Sequence, residues 1–283
     1  MPGTITPIGV GSAALYPKQA SAGAALDPFV LPGDTNAPIM FEAPPGLTAG
    51  VNEVWVLATG GPDWGGCQIW VSSDGSTYAL AGTAYKGGRQ GVLSASLPQG
   101  TDPDTTDTLS VDLSESEGQL LSGTTADADN FVTLCYCDGE LVSYETATLT
   151  APYKYDLTYL RRGVYGTTIA SHGGGAQFGR LGPNDPSVFR YAYPASFIGQ
   201  TIYLKLPGFN IFGQQLQSLA ALSAYGFALG GAGTNPLSNP IIAGLAADTG
   251  QDWGTVGTSL IGSADFGLVT VPVGATVNLG MVS

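Results

Sequence analysis

The stretch that decides the fold reads Tyr155-Asp-Leu-Thr-Tyr-Leu-Arg-Arg-Gly-Val-Tyr-Gly-Thr-Thr168. Its first half alternates apolar with polar residues, and this period of two predicts a half-buried strand. Gly163 and Gly166 follow, and they predict that the strand ends in a bend. A strand that runs into a glycine-rich bend indicates a fold made of strands and tight turns.

Two arginines, Arg161 and Arg162, close this strand in a chain that has only nine basic residues. Neighbouring residues of a strand point to opposite faces, so one arginine can reach inward while the other reaches a partner chain. The guanidinium group is a rigid fork of donors that suits carboxylates and backbone carbonyls. We expect Arg162 to bind such groups in its own domain and to fix the Gly163–Gly166 bend. The alternative is that both arginines are solvated at the end of a strand.

The composition predicts an all-β protein. Charged residues make up 11% of the chain, against roughly 25% in an average soluble domain. Glycine and proline number 42 and 19 among 283 residues. These residues cost roughly 1 and 3 kcal/mol each in a helix interior, so the chain is poorly suited to helices and well suited to short strands.

The formal net charge of −13 argues against sequence-specific binding of nucleic acid, because an acidic surface repels the phosphate backbone. No apolar run approaches the roughly 18 residues that a membrane-spanning helix needs. The first residues lack the basic start and apolar core of a signal peptide. We therefore expect synthesis and assembly inside a host cell.

Cysteine and histidine are too few to predict a metal site or a disulfide framework. The chain has three cysteines and one histidine, His172, whereas a zinc site needs several such ligands at fixed spacing. Cys135 and Cys137 lie two residues apart on a predicted strand and so share a face. We interpret them, together with Cys67, as reduced apolar residues of the core. No cofactor is expected.

Trp64 and Trp70 allow two interpretations. The parity of Trp55 and Trp70 in two short apolar strands lets both face a common core. Alternatively, Trp64 and Trp70 form an exposed platform on which a sugar stacks. Core packing is the preferred interpretation, since exposed aromatic residues would need a concave groove.

An acidic segment lies between Pro98 and Asp129, with a short strand predicted around residues 108–113. Calcium binds six or more oxygen ligands in loops of this kind. The part from Asp102 to Asp107 lacks the spacing of an EF-hand, so solvated acidic loops are preferred, and calcium binding stays open.

Changes in composition and in the hydrophobic pattern along the chain predict three regions. Residues 1–50 form a proline-rich extended arm, residues 51–195 a sandwich-like β domain, and residues 196–283 a smaller β-rich block with a C-terminal arm. The clearest hairpin has its turn at Asp138-Gly139, between two alternating segments. A short helix is predicted over residues 214–221. Both arms are expected to become ordered on partner chains.

No catalytic motif is present. The sequence has no P-loop, no dinucleotide-binding fingerprint and no HExxH. A catalytic triad could use only His172, which lies in a loop-like Ser-His-Gly-Gly-Gly run. Pairs of carboxylates are always available in so acidic a chain, so they indicate nothing by themselves. We do not expect an enzyme.

A set of short motifs in a fixed order resembles a known family. They are Val54-Trp-Val-Leu57, Trp64-Gly-Gly-Cys-Gln-Ile-Trp-Val71, Asp138-Gly-Glu140, Leu157-Thr-Tyr-Leu-Arg-Arg-Gly-Val-Tyr-Gly-Thr167 and Tyr203-Leu-Lys-Leu-Pro-Gly-Phe-Asn-Ile-Phe-Gly213. Over roughly Pro38 to Tyr225 the chain resembles the C-terminal part of the tail-tip (hub or host-specificity) proteins of long-tailed phages and gene transfer agents.

The resemblance implies a structural role in a virion tail tip or baseplate, within a trimeric or pseudo-symmetric assembly with other tail proteins. It supplies no catalytic residues. Relatives usually carry hub domains before this region, so hub, baseplate and receptor-binding roles all stay open. The alternatives are a carbohydrate-binding receptor-recognition protein, which would expose Trp64 or tyrosines in a groove, and a tail-associated glycan hydrolase.

Overall fold

A computed structural model describes residues 27–182 and 185–231 of the chain. The described part is all-β, as the composition predicts. Its strands are β1 (Ile39–Glu42), β2 (Glu53–Leu57), β3 (Trp64–Ser72), β4 (Ala79–Ala84), β5 (Gln90–Leu93), β6 (Leu109–Asp112), β7 (Cys135–Cys137), β8 (Glu140–Ala151), β9 (Lys154–Arg161), β10 (Gln177–Arg180), β11 (Val188–Ala192), β12 (Thr201–Lys205), β13 (Gly208–Asn210) and β14 (Tyr225–Ala228).

Helical structure in the described ranges is limited to short pieces. They are the α-helices α1 (Pro45–Thr48) and α2 (Thr125–Asp129) and the 3-10 turns Val164–Gly166, Ala195–Phe197 and Leu219–Ala221. The helix predicted over residues 214–221 is therefore wrong except for its last turn. Gln214 and Gln217 use backbone and side-chain groups to bind the β13 region instead.

Strands β5 to β10 close into a six-stranded barrel in the order β10-β5-β6-β9-β8-β7, all antiparallel. Its interior is a single apolar cluster that includes Leu109, Val111, Tyr144, Leu157 and Phe178. The hairpin predicted at Asp138-Gly139 is confirmed as the β7–β8 connection. The sequence predicts a sandwich, whereas these strands form a closed barrel, since β10 pairs with both β5 and β7.

The strands outside the barrel form two sheets. The central sheet has the order β1-β2-β11, and the outer sheet pairs β3 with β4 on one edge and with β12 and β13 on the other, with β14 beyond β12. Residues 39–84 thus pair with residues 188–228, and the barrel lies between them in sequence. This pairing crosses both sequence boundaries, at residue 50 and at residue 195.

The central sheet is buried on both faces, which explains the uninterrupted apolar run of β2. Val54 and Val56 pack against Ile69 and Leu204 of the outer sheet. Trp55 and Leu57 point the other way, towards the barrel wall at Tyr136 and Leu141, where the ring of Phe41 stacks on Tyr136 at 4.4 Å between centroids. The three layers are therefore barrel, central sheet and outer sheet.

The predicted arms are only partly described. Residues 27–50 contain β1 and α1, and β1 pairs with β2. Residues 1–26 and 232–283 lie outside the described ranges, so the ordering of those parts of the arms on partner chains stays a prediction.

Gly91 in β5 tests the barrel, because a Cβ atom there would clash with the carbonyl oxygen of Asp112 in the paired strand β6. We expect Gly91→Ala to lower the free energy of unfolding by about 1–3 kcal/mol, the usual cost of overpacking. Urea denaturation measures the change. Gly173→Ala is the matched control, since nothing lies within 4 Å of its added Cβ. Equal midpoints for the two variants would contradict the barrel pairing.

Candidate functional site

Near the end of β9 the alternation of inward-facing and outward-facing side chains is interrupted. Tyr155 and Leu157 face the barrel interior, and the next interior residue is Leu160, three positions further on. Tyr159 has a φ of 51°, in the left-handed region, which turns the chain by one residue. Because of this shift, Leu160 and Arg162 point inward, whereas a strict period of two would bury Tyr159 and Arg161.

Arg162 forms a two-pronged ion pair with Glu140 at the start of β8. The Nε and Nη2 atoms donate to Oε1 and Oε2 at 2.7 and 2.9 Å. Both side chains are 0% exposed. Paired forks of this kind combine strength with a fixed orientation.

The remaining N–H groups of Arg162 are also satisfied. Nη1 donates to the carbonyl of Pro98 at 3.2 Å and to Oδ2 of Asp104 at 3.3 Å, and Nη2 donates to the carbonyl of Ala170 at 2.7 Å. A guanidinium has five N–H donors, and here they face five acceptor oxygens. The expected contact with carboxylates and carbonyls of its own domain is thus present.

Glu140 is the second centre of this cluster. Besides Arg162, it accepts hydrogen bonds from the backbone N–H groups of Gly163 at 2.9 Å and Ala170 at 3.2 Å. The Nε2 atom of His172 lies 2.9 Å from Oε2, so the tautomer that carries the proton on Nε2 donates there. His172 is 3% exposed, and its Nδ1 lies 3.9 Å from Oδ2 of Asp138.

We call Arg162, Glu140, Asp104 and His172 the buried charge cluster. It joins four segments: the loop after β5, the β7–β8 turn, the end of β9 and the loop that leads to β10. Backbone hydrogen bonds between Leu97 and His172, and between Asp104 and Leu160, reinforce the same junctions at 2.7–2.8 Å. The cluster therefore fixes one end of the barrel.

The electrostatics of the cluster favour ionised carboxylates. Burial alone would raise the pKa of Glu140, but hydrogen bonds from Arg162, His172, Gly163 and Ala170 outweigh it and lower that pKa. Burial likewise opposes ionisation of Asp104, whose pKa is lowered by hydrogen bonds from Asp107 and Thr106 and by the charge of Arg162. With the donors of Arg162 occupied and its side chains enclosed, the cluster acts as a clamp on the backbone at this end of the barrel.

Arg161 is bound within its own chain. Its Nε and Nη2 atoms donate to the two oxygens of Asp102 at 2.7 and 2.9 Å, and Nη1 donates to Asp129 at 2.9 Å. These hydrogen bonds raise the pKa of Arg161 and lower that of Asp102. The sequence predicts a partner-facing role for Arg161, and the structure shows a half-buried side chain whose fork already holds two carboxylates.

Gly163 and Gly166 form the bend after β9, with φ values of 61° and 80°. A Cβ at Gly163 would lie 2.8 Å from the carbonyl oxygen of Thr167, so the close turn requires glycine. The N–H of Gly163 binds Glu140, which links this bend directly to the buried charge cluster.

Trp64 and Trp70 are not brought together. Trp64 is 8% exposed, and its indole N–H donates to Oγ1 of Thr35 at 3.0 Å. Trp70 lies on the outer face of β3, because Cys67, Ile69 and Val71 take the inner face. The predicted common core of Trp55 and Trp70 is wrong, since Trp55 packs towards the barrel.

The acidic segment supplies partners for the two arginines. Asp102 binds Arg161 and Asp104 binds Arg162, and Asp104 is only 1% exposed. The prediction of a solvated loop is thus wrong at Asp104, because the only fully buried arginine fork of the described ranges draws it inward. No group of histidine, cysteine and acidic residues suited to a metal ion occurs in the described ranges. The three cysteines are buried thiols, and burial raises the pKa of Cys67 and of Cys135 to about 12.

The pattern of the sequence does not predict Glu140, Asp104 and His172 as partners of Arg162. The sequence does contain a signal for Glu140. It is the first residue after the Asp138-Gly139 turn, and it pairs with Cys137, whose side chain belongs to the apolar cluster inside the barrel. An acidic residue at that position requires a buried cation. Arg162 was the available candidate.

The two neighbouring arginines predict a contrast in stability. We expect Arg162→Ala to lower the free energy of unfolding by about 3–5 kcal/mol, since it leaves the buried Glu140 without its cation. Arg161→Ala should cost about 1 kcal/mol or less, because its pairs are partly solvated. Urea denaturation of the full chain measures both. Arg162→Lys keeps the charge without the fork and should lie between them. Similar losses for Arg161→Ala and Arg162→Ala would contradict the clamp.

The cluster also predicts acid sensitivity. The pKa values of Glu140 and Asp104 are lowered in the folded state, so the unfolded state binds more protons as the pH falls. The stability that they contribute is complete above their unfolded pKa values, about 4, and is lost as the pH falls through the folded values. Denaturation midpoints should therefore drop below about pH 4.5, with a shallower slope for Asp104→Asn. A midpoint that stays constant from pH 6 to pH 3 would contradict this.

Comparison with known proteins gives one family match. The model described as Rcc01698-like, C-terminal, a family name associated with a gene transfer agent, matches residues 88–179, about a third of the chain. No curated protein matches. Within the described ranges, no helix is long and apolar enough to cross a membrane. The matched residues begin just before β5 and end within β10, so the matched segment contains nearly all of the barrel and all four residues of the buried charge cluster.

Proposed function

We propose that this chain is a structural component of a phage-like tail tip or baseplate, of the kind that gene transfer agents share with long-tailed phages. The observation that carries the proposal is that the family model and the barrel cover almost the same residues. The model matches residues 88–179, and the barrel strands span residues 90–180. A match that begins and ends with a closed structural unit supports a shared module. The order of short motifs on both sides of the barrel supports the same class.

In this proposal the chain is made in the host cytoplasm and resides in the virion, at the tail tip. It assembles there with other tail proteins and with copies of itself, as a trimer, and it contributes to host attachment. It has no catalytic role. A rigid barrel end, held by the buried charge cluster, suits a part that must keep its shape while neighbours bind to it.

The surface supports assembly through apolar contacts. Phe29 and Leu31 are 65% and 72% exposed, and Ile211, Phe212 and Leu216 are 43–49% exposed. The two segments touch, because the side-chain amide of Asn210 donates to the carbonyls of Pro28 and Val30. We call these five apolar side chains the apolar edge. Exposed apolar side chains on neighbouring segments are common where proteins bind one another.

Incorporation into particles tests the proposal. A tagged copy of the chain, expressed in cells that produce the particles, should co-purify with intact particles and label one end of the tail by immunogold electron microscopy. The double variant Leu31→Asp/Phe212→Asp should be incorporated at least fivefold less, because two carboxylates on the apolar edge oppose burial against a partner. The readout is the chain-to-capsid ratio by quantitative mass spectrometry.

Leu149→Asp is the matched control, because Leu149 is an exposed apolar residue of the barrel, 61% exposed and outside the apolar edge. All variants should melt within a few degrees of the unchanged protein. Absence of the chain from purified particles, when it is abundant in the producing cells, would overturn the proposed function.

A further inference from the structure

A groove of about 410 Å³ separates the outer sheet from the barrel. One side is formed by the β2–β3 loop and the residues just after β4, and the other by the loop after β6. The side chains used below are Trp64, Tyr85, Glu115, Ser116 and Glu117. Its volume lies within the range of small-molecule sites, roughly 300–1,000 Å³. None of these residues belongs to the buried charge cluster or to the apolar edge.

Tyr85 provides an exposed aromatic surface at the groove. Its side chain is 77% exposed, more than any other aromatic residue of the described ranges. Phe209 contacts the ring in a tilted arrangement, with centroids 6.0 Å apart, and most of the Tyr85 side chain stays exposed. An exposed aromatic ring with a polar hydroxyl offers both apolar contact and hydrogen bonding.

The floor of the groove is preformed. Gly60 and Gly87 pack against the indole of Trp64, and a Cβ at Gly60 would clash with that ring. The indole N–H is already bound to Thr35, so the ring is fixed in place. Because glycine has no Cβ atom, a ligand can approach the backbone closely at these positions.

The opposite wall carries two carboxylates. Ser116 donates to the carbonyl of Gln90 at 2.6 Å, and the side-chain amide of Gln90, a residue 1% exposed, donates to Oε1 of Glu115 at 3.1 Å. The wall is therefore anchored to the barrel. Neither Glu115 nor Glu117 forms an ion pair within residues 27–182 and 185–231, so oxygen acceptors remain available in the groove.

These features together fit a sugar. Aromatic rings contact the apolar C–H faces of pyranoses, while carboxylates and hydroxyls accept and donate hydrogen bonds to ring hydroxyl groups. Two carboxylates in a chain of net charge −13 disfavour phosphate or acidic sugars. A basic peptide would satisfy the carboxylates but would leave the glycine floor without a close partner.

We propose that this groove binds a neutral oligosaccharide, with Tyr85 as the stacking residue and Glu115 and Glu117 as hydroxyl acceptors. As a contact with the host surface, the site rests on the proposed tail-tip function. As a sugar-binding site it is a property of the chain alone.

Binding by the full chain tests the site. The unchanged protein is applied to an array of neutral bacterial polysaccharide fragments that includes chitotetraose and maltotetraose, and the dissociation constant of the best ligand is measured by calorimetry. We expect binding to neutral glycans, at least tenfold weaker for Tyr85→Ala. Glu117→Gln keeps one acceptor oxygen and should weaken binding less than Tyr85→Ala. Leu149→Ala, outside the groove, should bind like the unchanged protein.

Three results would overturn the site: no neutral glycan bound by the unchanged protein, equal binding by Tyr85→Ala, or binding only to a basic peptide such as oligolysine. The two proposals fail separately. Glycan binding with no incorporation into particles would overturn the tail-tip function and leave the site, whereas incorporation without glycan binding would overturn the site alone.

Discussion

The ion pair between Arg162 and Glu140 is the interaction on which the rest of the structure depends. It closes one end of the barrel by holding four segments that lie between Pro98 and His172. A buried pair of this kind need not add net stability compared with apolar residues of the same shape, because both ions are removed from water. We expect its effect to be specificity, because enclosing either charge favours the arrangement that supplies its partner.

Much of the local structure could be predicted from the sequence, because it depends on neighbours in the chain. Alternation identified strands such as β6, β8 and β9, and Asp138-Gly139 identified a hairpin. The face on which each arginine lies depended instead on one left-handed residue, Tyr159. A tyrosine gives no signal for that conformation, and a strict alternation would place Arg161 inward instead of Arg162.

The remaining differences arise from contacts between distant segments. Whether Trp70 faces a core depends on which side of β3 the central sheet covers, and the outer position follows only from the inward set of Cys67, Ile69 and Val71. The helix predicted over residues 214–221 depended on local propensity, which the hydrogen bonds of Gln214 and Gln217 to the β13 region override. The groove at Tyr85 was anticipated only as a general requirement for a sugar-binding protein. The groove is lined by three segments, namely the β2–β3 loop, the residues after β4 and the loop after β6. Nothing in the sequence pattern shows that these segments lie together.

The position of the barrel within the chain has a consequence for the order of folding. All six barrel strands come from one continuous segment, so their pairing can begin as soon as residues 90–180 are available. Strands β2 and β3 must wait for β11 and β12, more than 100 residues later. The average sequence separation of native contacts is therefore lower in the barrel than in the flanking sheets, and low separation favours fast folding. During synthesis the ribosome releases the N-terminal strands first, with unpaired apolar edges. We therefore expect the barrel, although central in sequence, to fold before the layers around it and to bring their two halves within reach of each other.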